Sequence, residues 1–405
     1  MKVFKDKSIT DVPYFKASGM HVGLRRKGRK DMCVIYSEKK AIAAAVFTTN
    51  KVIAAPLVLN KENIKNENTQ AIVINSGYAN SCNGKQGFID AKAMGVKAAN
   101  CLGLKPEEIL IASTGRIGVQ LPMDIIIPGI EKACSEISYD GSDDAAEAIL
   151  TTDTFTKKQF VEVMIGGKKV CISAIGKGSG MVNPKMGTIL GFIVTNVNIT
   201  KEMLTKALRG STEDSYNMIS VDGDTSTNDM AVILSNKTAG NELITEENED
   251  YREFKKALDF VNTELSKLIA KDGEGCTKLI EIRVNNAPTK HDARICAKSV
   301  ISSSLVKTAM FGGDANWGRI MCSMGYSGAE FDPQNVNITF ENNMGIIKVV
   351  ESGIGVDFDK EDVKVMLSQE YVNIIIDLND GDFSTTAWGC DLTYDYVKMN
   401  GNYRT

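Results

Sequence analysis

Residues 176–196 read GKGSGMVNPKMGTILGFIVTN. The opening GKGSG describes a flexible, polar loop. At Gly187-Thr188 the character changes at once to the apolar run Ile189-Leu190-Gly191-Phe192-Ile193-Val194. A run rich in β-branched and aromatic side chains predicts a buried strand, so a hydroxyl stands where the loop enters it. Read alone, Thr188 is an ordinary strand start, but it has a second reading. A threonine hydroxyl preceded by glycine can attack its own peptide carbonyl in an N-to-O acyl shift. Hydrolysis of that ester leaves an N-terminal threonine. Its α-amine, with a reference pKa of about 7.7–8.0, can serve as base for its own hydroxyl.

Such a nucleophile needs no histidine, and this chain of 405 residues has only His21 and His291. Both stand in polar or turn-like settings, with no partner residues at metal-ligand or triad spacing. No metal site is expected. Basic and acidic residues nearly balance, 47 against 51. The densest basic cluster, Arg25-Arg26-Lys27-Gly28-Arg29-Lys30, reads as a solvated turn, so no nucleic-acid face is expected. Nine cysteines are scattered with no CxxC pair, and MKVFKDKSITDVPYF lacks an apolar signal core. No apolar stretch approaches membrane-span length. These features place the chain in a reducing, cytoplasmic setting.

Around the opening stretch, Met32–Tyr36, Ala41–Phe47 and Ala71–Ile74 are expected strands, and an Ala-rich helix is expected between Phe88 and Leu104. The run Glu108–Ala112 predicts a buried strand ending at Ser113-Thr114-Gly115. Ser142 is the expected N-cap of a helix over 141–150. Phe254, Leu258, Val261, Leu265 and Leu268 mark an amphipathic helix over 246–270. A strand from Lys278 to Val284, a helix over 292–309 and a glycine-rich loop FGGDANWGRI follow. The C-terminal portion is mainly β, with strands at 336–340, 345–350 and 371–378 around a short helix from Lys360 to Ser368. Helices layered on largely antiparallel sheet give an α+β sandwich.

Four polar motifs invite chemistry and are weak alone. GKGSG fails the P-loop pattern because Cys171 stands where its first glycine belongs, and Met181 breaks the dinucleotide fingerprint. VDGDTSTND (221–229) alternates acids as a calcium loop does, but Thr227 occupies the obligatory glycine position, and a hydrogen-bonded turn is the better reading. STGRIG (113–118) ends a buried strand where free backbone N–H groups could hold an oxyanion. DGEGCTK sets Glu274 between two glycines that permit close approach. Read by themselves, both are turns.

Together the segments resemble the ArgJ-type ornithine acetyltransferases (glutamate N-acetyltransferases) of arginine biosynthesis. The resemblance runs through VFTTNKVIAAPL, INSGYANSCNG, TTDTFTKK, GKGSGMVNPKMGTILGFIVTN, SVDGDTSTND, DGEGCTK, SSLVKTAMFGGDANWGRI and WGCDLTYDYVKMNGNYRT. It extends from about residue 18 to the end, in one order. It implies an α/β sandwich of DmpA/ArgJ type, similar to N-terminal-nucleophile hydrolases. It also implies self-cleavage between Gly187 and Thr188 into an α-chain, 1–187, and a β-chain, 188–405, that stay associated. By the same resemblance Thr188 is the nucleophile, and Thr114 with Gly115 forms the oxyanion hole. Substrate contacts would come from Thr154, Lys177, Thr188, Glu274, Asn400 and Thr405. The implied reaction moves acetyl from N-acetylornithine to glutamate through an acetyl-threonine ester. No cofactor is implied, although some members also take acetyl from acetyl-CoA, and an (αβ)₂ assembly is implied. One cation and one anion, Lys177 and Glu274, suit a substrate with an α-carboxylate and a δ-ammonium.

The chain departs from the family pattern at Gly187, where alanine is frequent, and at Arg116, which brings a positive charge beside the oxyanion glycine. Tyr78 and Ala315 replace a common asparagine and proline. Two other functions fit parts of the sequence. A self-cleaving amidohydrolase or aminopeptidase of the same fold would release acetate without needing glutamate. An uncleaved binding protein would keep the Gly187–Thr188 bond.

Overall fold

The structure, a computed structural model, describes residues 1–25, 28–183 and 189–402. Its strands form three sheets. The central six-stranded sheet runs β1 (Lys2–Val3), β7 (Lys157–Ile165), β8 (Lys168–Lys177), β9 (Leu190–Thr195), β11 (Met230–Ser235) and β4 (Ile42–Phe47). A four-stranded sheet runs β2 (Phe15–Met20), β3 (Met32–Ser37), β5 (Ala71–Tyr78) and β6 (Ile109–Arg116). A seven-stranded sheet runs β10 (Ile219–Ser220), β17 (Phe383–Cys390), β12 (Leu279–Ala287), β16 (Tyr371–Asp377), β13 (Asn337–Asn342), β14 (Gly345–Glu351) and β15 (Ile354–Gly355).

Period-two alternation sorts the central strands between two cores. In β8, Val170, Ile172 and Ala174 face one way, with Ile193 of β9 and Ile233 of β11. Cys171 and Ile175 face the other, with Phe192, Val194 and Val232. The first core holds the helices Lys201–Glu213 and Glu249–Lys271, which lie between the central and seven-stranded sheets. The second joins the central sheet to the four-stranded one through Phe15, Ile35 and Ile72. A third core covers the outer face of the four-stranded sheet with the helices Gly84–Leu102 and Met123–Ser135. Every residue of β9 and β11 is buried, as expected of strands covered on both faces, and they pair in parallel. The α+β sandwich read from the sequence is the observed architecture, and most ladders in it are antiparallel.

Local differences have local causes. The helix expected over 292–309 is two helices, Lys290–Ser302 and Ser304–Gly312. Ser303 is extended between them, and its hydroxyl caps the second by accepting from Val306 N. Ser142 is the first helical residue rather than the N-cap, which is Gly141. The Ser142 hydroxyl instead meets Thr10, whose N–H donates to it at 3.0 Å. The glycine-rich FGGDANWGRI gives way to a helix, Trp317–Gly325, capped by Asn316. In Glu249–Lys271 the buried stripe ends on Ile269 and Ala270, with Leu268 only half-buried. Among the described residues no helix is long and apolar enough to cross a membrane.

Candidate active site

At one end of β6, β8 and β9 the backbone opens into a partly open cavity of about 110 Å³ with mixed polar and apolar walls. Thr114, Gly115, Lys177, Glu274 and Asn400 all line it. Five of the residues singled out in the sequence, up to 286 positions apart in the chain (Thr114 to Asn400), therefore meet at one place. Gly187, Thr188 and Thr405 lie outside the described residues. Ile189 and Leu190, which follow Thr188 directly, line the cavity.

Each wall is fixed by strand geometry. Thr114 and Gly115 end β6, beside Ser76 and Gly77 of β5. Gly115 has φ +128°, and a Cβ placed there would lie 2.3 Å from the carbonyl carbon of Gly77. Only glycine permits that backbone approach. The Thr114 hydroxyl has no hydrogen-bond partner among the described residues, so it is available to a bound oxygen. The turn is tied to the central sheet by Asn228, whose Nδ2 donates to the carbonyls of Ser113 (2.8 Å) and Ala79. On the far side, β11 is anchored to the residue after Thr188, since Met230 N donates to Ile189 O at 2.7 Å.

The charged wall combines two loops. Lys177 ends β8 with its ammonium 4.0 Å from Asp153 Oδ2. Glu274 follows the helix Glu249–Lys271, and its N–H donates to Ser179 O at 3.0 Å. Its carboxylate accepts from Asn400 Nδ2 at 2.8 Å and lies directly over the Cα of Gly180. Burial alone would push the Asp153 carboxyl up. The Lys177 and Lys157 ammonium groups outweigh it and hold that carboxyl well below the usual range.

Of the threonines in TTDTF, the structure turns Thr151 and Thr152 to the cavity. Thr154 does not line it. Its N–H donates to Asp272 at 3.0 Å, and its hydroxyl donates to the same carboxylate. The positive charge of Arg116 also stays outside: its guanidinium lies 4.8 Å from the Tyr78 ring centroid, on the exposed side. The stretch VDGDTSTND is a hydrogen-bonded turn in which Asp222 accepts from the N–H groups of Met181 (2.6 Å) and Val182 (3.0 Å). It also supplies a residue that reading the sequence missed. Asp229 lines the cavity, is buried, and has one carboxylate oxygen with no hydrogen-bond partner. Burial pushes its carboxyl well above the usual range, only partly offset by Lys177 and Ser226. The available signal was an acid set immediately before the apolar run 230–234 of β11.

A hydroxyl and a backbone N–H can meet a developing oxyanion, and a cation and an anion can grip the two charged ends of an amino acid. Fold and cavity together define an acyl-transfer enzyme acting on small charged molecules. The chain belongs to the ArgJ family, whose model matches residues 16–405. It is 57% identical over 405 residues to arginine biosynthesis bifunctional protein ArgJ 1 of Clostridium acetobutylicum, covering 100% of this chain and 99% of that one. The ArgJ protein of Caldanaerobacter subterraneus subsp. tengcongensis is 50% identical over 391 residues, 96% of this chain and 97% of its own. A crystal structure of ArgJ from Bacillus halodurans matches with a TM-score of 0.51 and 43% identity, over 53% of this chain and 100% of that one. These relatives favour the acetyltransferase reading over the amidohydrolase one.

Proposed function

We propose that this protein moves acetyl from N2-acetylornithine to glutamate by a ping-pong path through an acetyl ester on Thr188, after the Gly187–Thr188 bond is cut. The observation that carries the reading is the meeting of Thr114, Gly115, Lys177, Glu274 and Asn400 around one cavity beside Ile189 and Leu190, the residues joined to Thr188. In the first half-reaction the Thr188 hydroxyl attacks the acetyl carbonyl as its own α-amine takes the proton. The Thr114 hydroxyl and Gly115 N–H hold the oxyanion. The C–N bond breaks, the α-ammonium returns the proton to the leaving nitrogen, and ornithine departs. Glutamate then attacks the ester through its α-amine and carries the acetyl group away. Lys177 pairs with the substrate α-carboxylate and Glu274 with the δ-ammonium of the donor. The ester must be kept from water while glutamate enters.

No cofactor enters this scheme, and acetyl-CoA is proposed as a second donor. The mature form is proposed as chains 1–187 and 188–405 held together, in an (αβ)₂ assembly. That the Bacillus halodurans chain is covered in full by 53% of this one supports a two-chain mature form. A reducing cytoplasm suits nine free cysteines. The test is the intact mass under denaturing conditions, before and after incubation with N2-acetylornithine. Two fragments divided at Gly187/Thr188, the larger gaining one acetyl group, support the reading, and Thr188→Ala should abolish both. A single chain with no adduct would overturn it, and acetate release independent of glutamate would instead favour the amidohydrolase.

A further inference from the structure

A largely buried charge network lies behind the cavity and reaches it through Lys177. Lys157, on β7, is 0% exposed, and its ammonium donates to Asp153 Oδ1 at 2.7 Å and Asp272 Oδ2 at 2.5 Å. Each of these aspartates is joined to one charged wall of the site, Asp153 through its carboxylate and Asp272 through its backbone, while the Asp272 carboxylate also accepts from the N–H and hydroxyl of Thr154. Asp153 Oδ1 also accepts from Gly178 N at 2.8 Å, and its other oxygen faces the Lys177 ammonium. Asp272 stands two residues before Glu274, and its carbonyl accepts from the Ser179 hydroxyl at 2.6 Å. Ser179 O then accepts from Glu274 N. Two ammonium groups and two carboxylates balance within this network. Lys157 is the member that contacts both halves.

We infer that Lys157 is a positioning residue that fixes the distance between Lys177 and Glu274, and so sets the length of diamino acid the site accepts. The inference rests on the function proposed above, in which those two groups grip the ends of the donor. Without the Lys157 ammonium, two carboxylates that now share one nitrogen repel each other. The 151–154 and 272–274 segments then keep only the Thr154 bonds to the Asp272 carboxylate, and the gap between cation and anion widens. A purely stabilising role predicts something else: lower stability with unchanged discrimination. Buried ion pairs are poor evidence of stability in any case, so the two roles need a direct separation.

The experiment compares N2-acetylornithine with its homologues one methylene shorter and longer, N2-acetyl-2,4-diaminobutyrate and N2-acetyllysine, at saturating glutamate. One methylene is commonly worth about 10–200-fold in selectivity. Lys157→Met and the charge-balanced pair K157M/D272N are expected to raise KM for N2-acetylornithine about tenfold, to leave kcat within about threefold, and to erase most of the preference over N2-acetyllysine. Lys157→Arg keeps the charge on a longer, planar head. It is expected to fold, restore most of the affinity and shift preference toward N2-acetyllysine. Wild-type selectivity in K157R, or in a folded K157M, overturns the inference. Should the wild-type enzyme transfer no acetyl from N2-acetylornithine, the proposed function fails instead, which is a different result.

Discussion

Gly180→Ala separates the stability of this protein from its activity. A Cβ at position 180 would lie 2.4 Å from Glu274 Cδ and 2.5 Å from both carboxylate oxygens, where ordinary contact begins at 3.4 Å. The carboxylate must therefore retreat by about 1 Å, which the end of a flexible side chain can do. Retreat sacrifices the 2.8 Å hydrogen bond from Asn400, worth about 1.5–3 kcal/mol for a carboxylate acceptor. Replacing glycine by alanine returns about 0.4–1 kcal/mol through the unfolded chain. The gain offsets part of the loss, so Tm should fall by only a few degrees. Activity has no such compensation. A 1 Å misplacement of a substrate-holding group costs about a hundredfold, roughly 2.7 kcal/mol of transition-state stabilisation. Calorimetry and steady-state acetyl transfer from N2-acetylornithine to glutamate measure the two sides. A G180A enzyme within threefold of wild type in kcat/KM, at unchanged Tm, would refute the claim that the Glu274 carboxylate grips substrate.

Gly115→Ala is the opposite case. Its Cβ would strike the backbone of Gly77 at 2.3 Å with φ at +128°, so strain and overpacking together should cost about 2–6 kcal/mol; denaturant unfolding checks this, and a loss below 1 kcal/mol would contradict the geometry. Thr114→Ala removes an oxyanion donor and should lower kcat by about 10²–10³ with little change in Tm; an undiminished kcat rules out that role. Asp229→Asn tests the buried carboxyl. The folded-state pKa of Asp229 is raised, so its contribution to stability is full below the unfolded value of about 3.9 and drains away as pH rises toward the folded one. Urea unfolding at several pH values above about 4 should therefore show Asp229→Asn gaining on wild type as pH increases; a flat difference would mean that Asp229 is not held protonated.

The sandwich was legible because its central strands are apolar on both faces and cannot be mistaken for amphipathic helix. The break at Ser303 was not: three serines, Ser302 to Ser304, interrupt the apolar spacing, and only the extended backbone of Ser303 shows which of them caps the second helix. In the site, Lys177 and Glu274 sit among glycines in loops that read alone as turns, and it was the family resemblance that singled them out; the fold brings both to one cavity. TTDTF was less transparent. Three threonines within four positions offer three hydroxyls, and which of them faces the cavity depends on how Asp272 approaches from more than a hundred residues away. Asp229 escaped because an acid in a polar turn looks solvated until β4 and β9 enclose it.

The strand order of the central sheet gives a cut at Thr188 a consequence for recovery from unfolding. Strands β9 and β11 come from after the cut. They are flanked on one side by β8 and on the other by β4, both from before it. The two products are thus interleaved along two ladders, not merely docked, and cannot part without opening the sheet. Once opened, however, they are separate molecules. An uncut precursor folds as one chain at any dilution, whereas a protein cut as proposed would have to find its partner again. Its refolding yield should depend on protein concentration, as for an obligate dimer, so the uncut precursor is the form in which this sheet is most readily assembled.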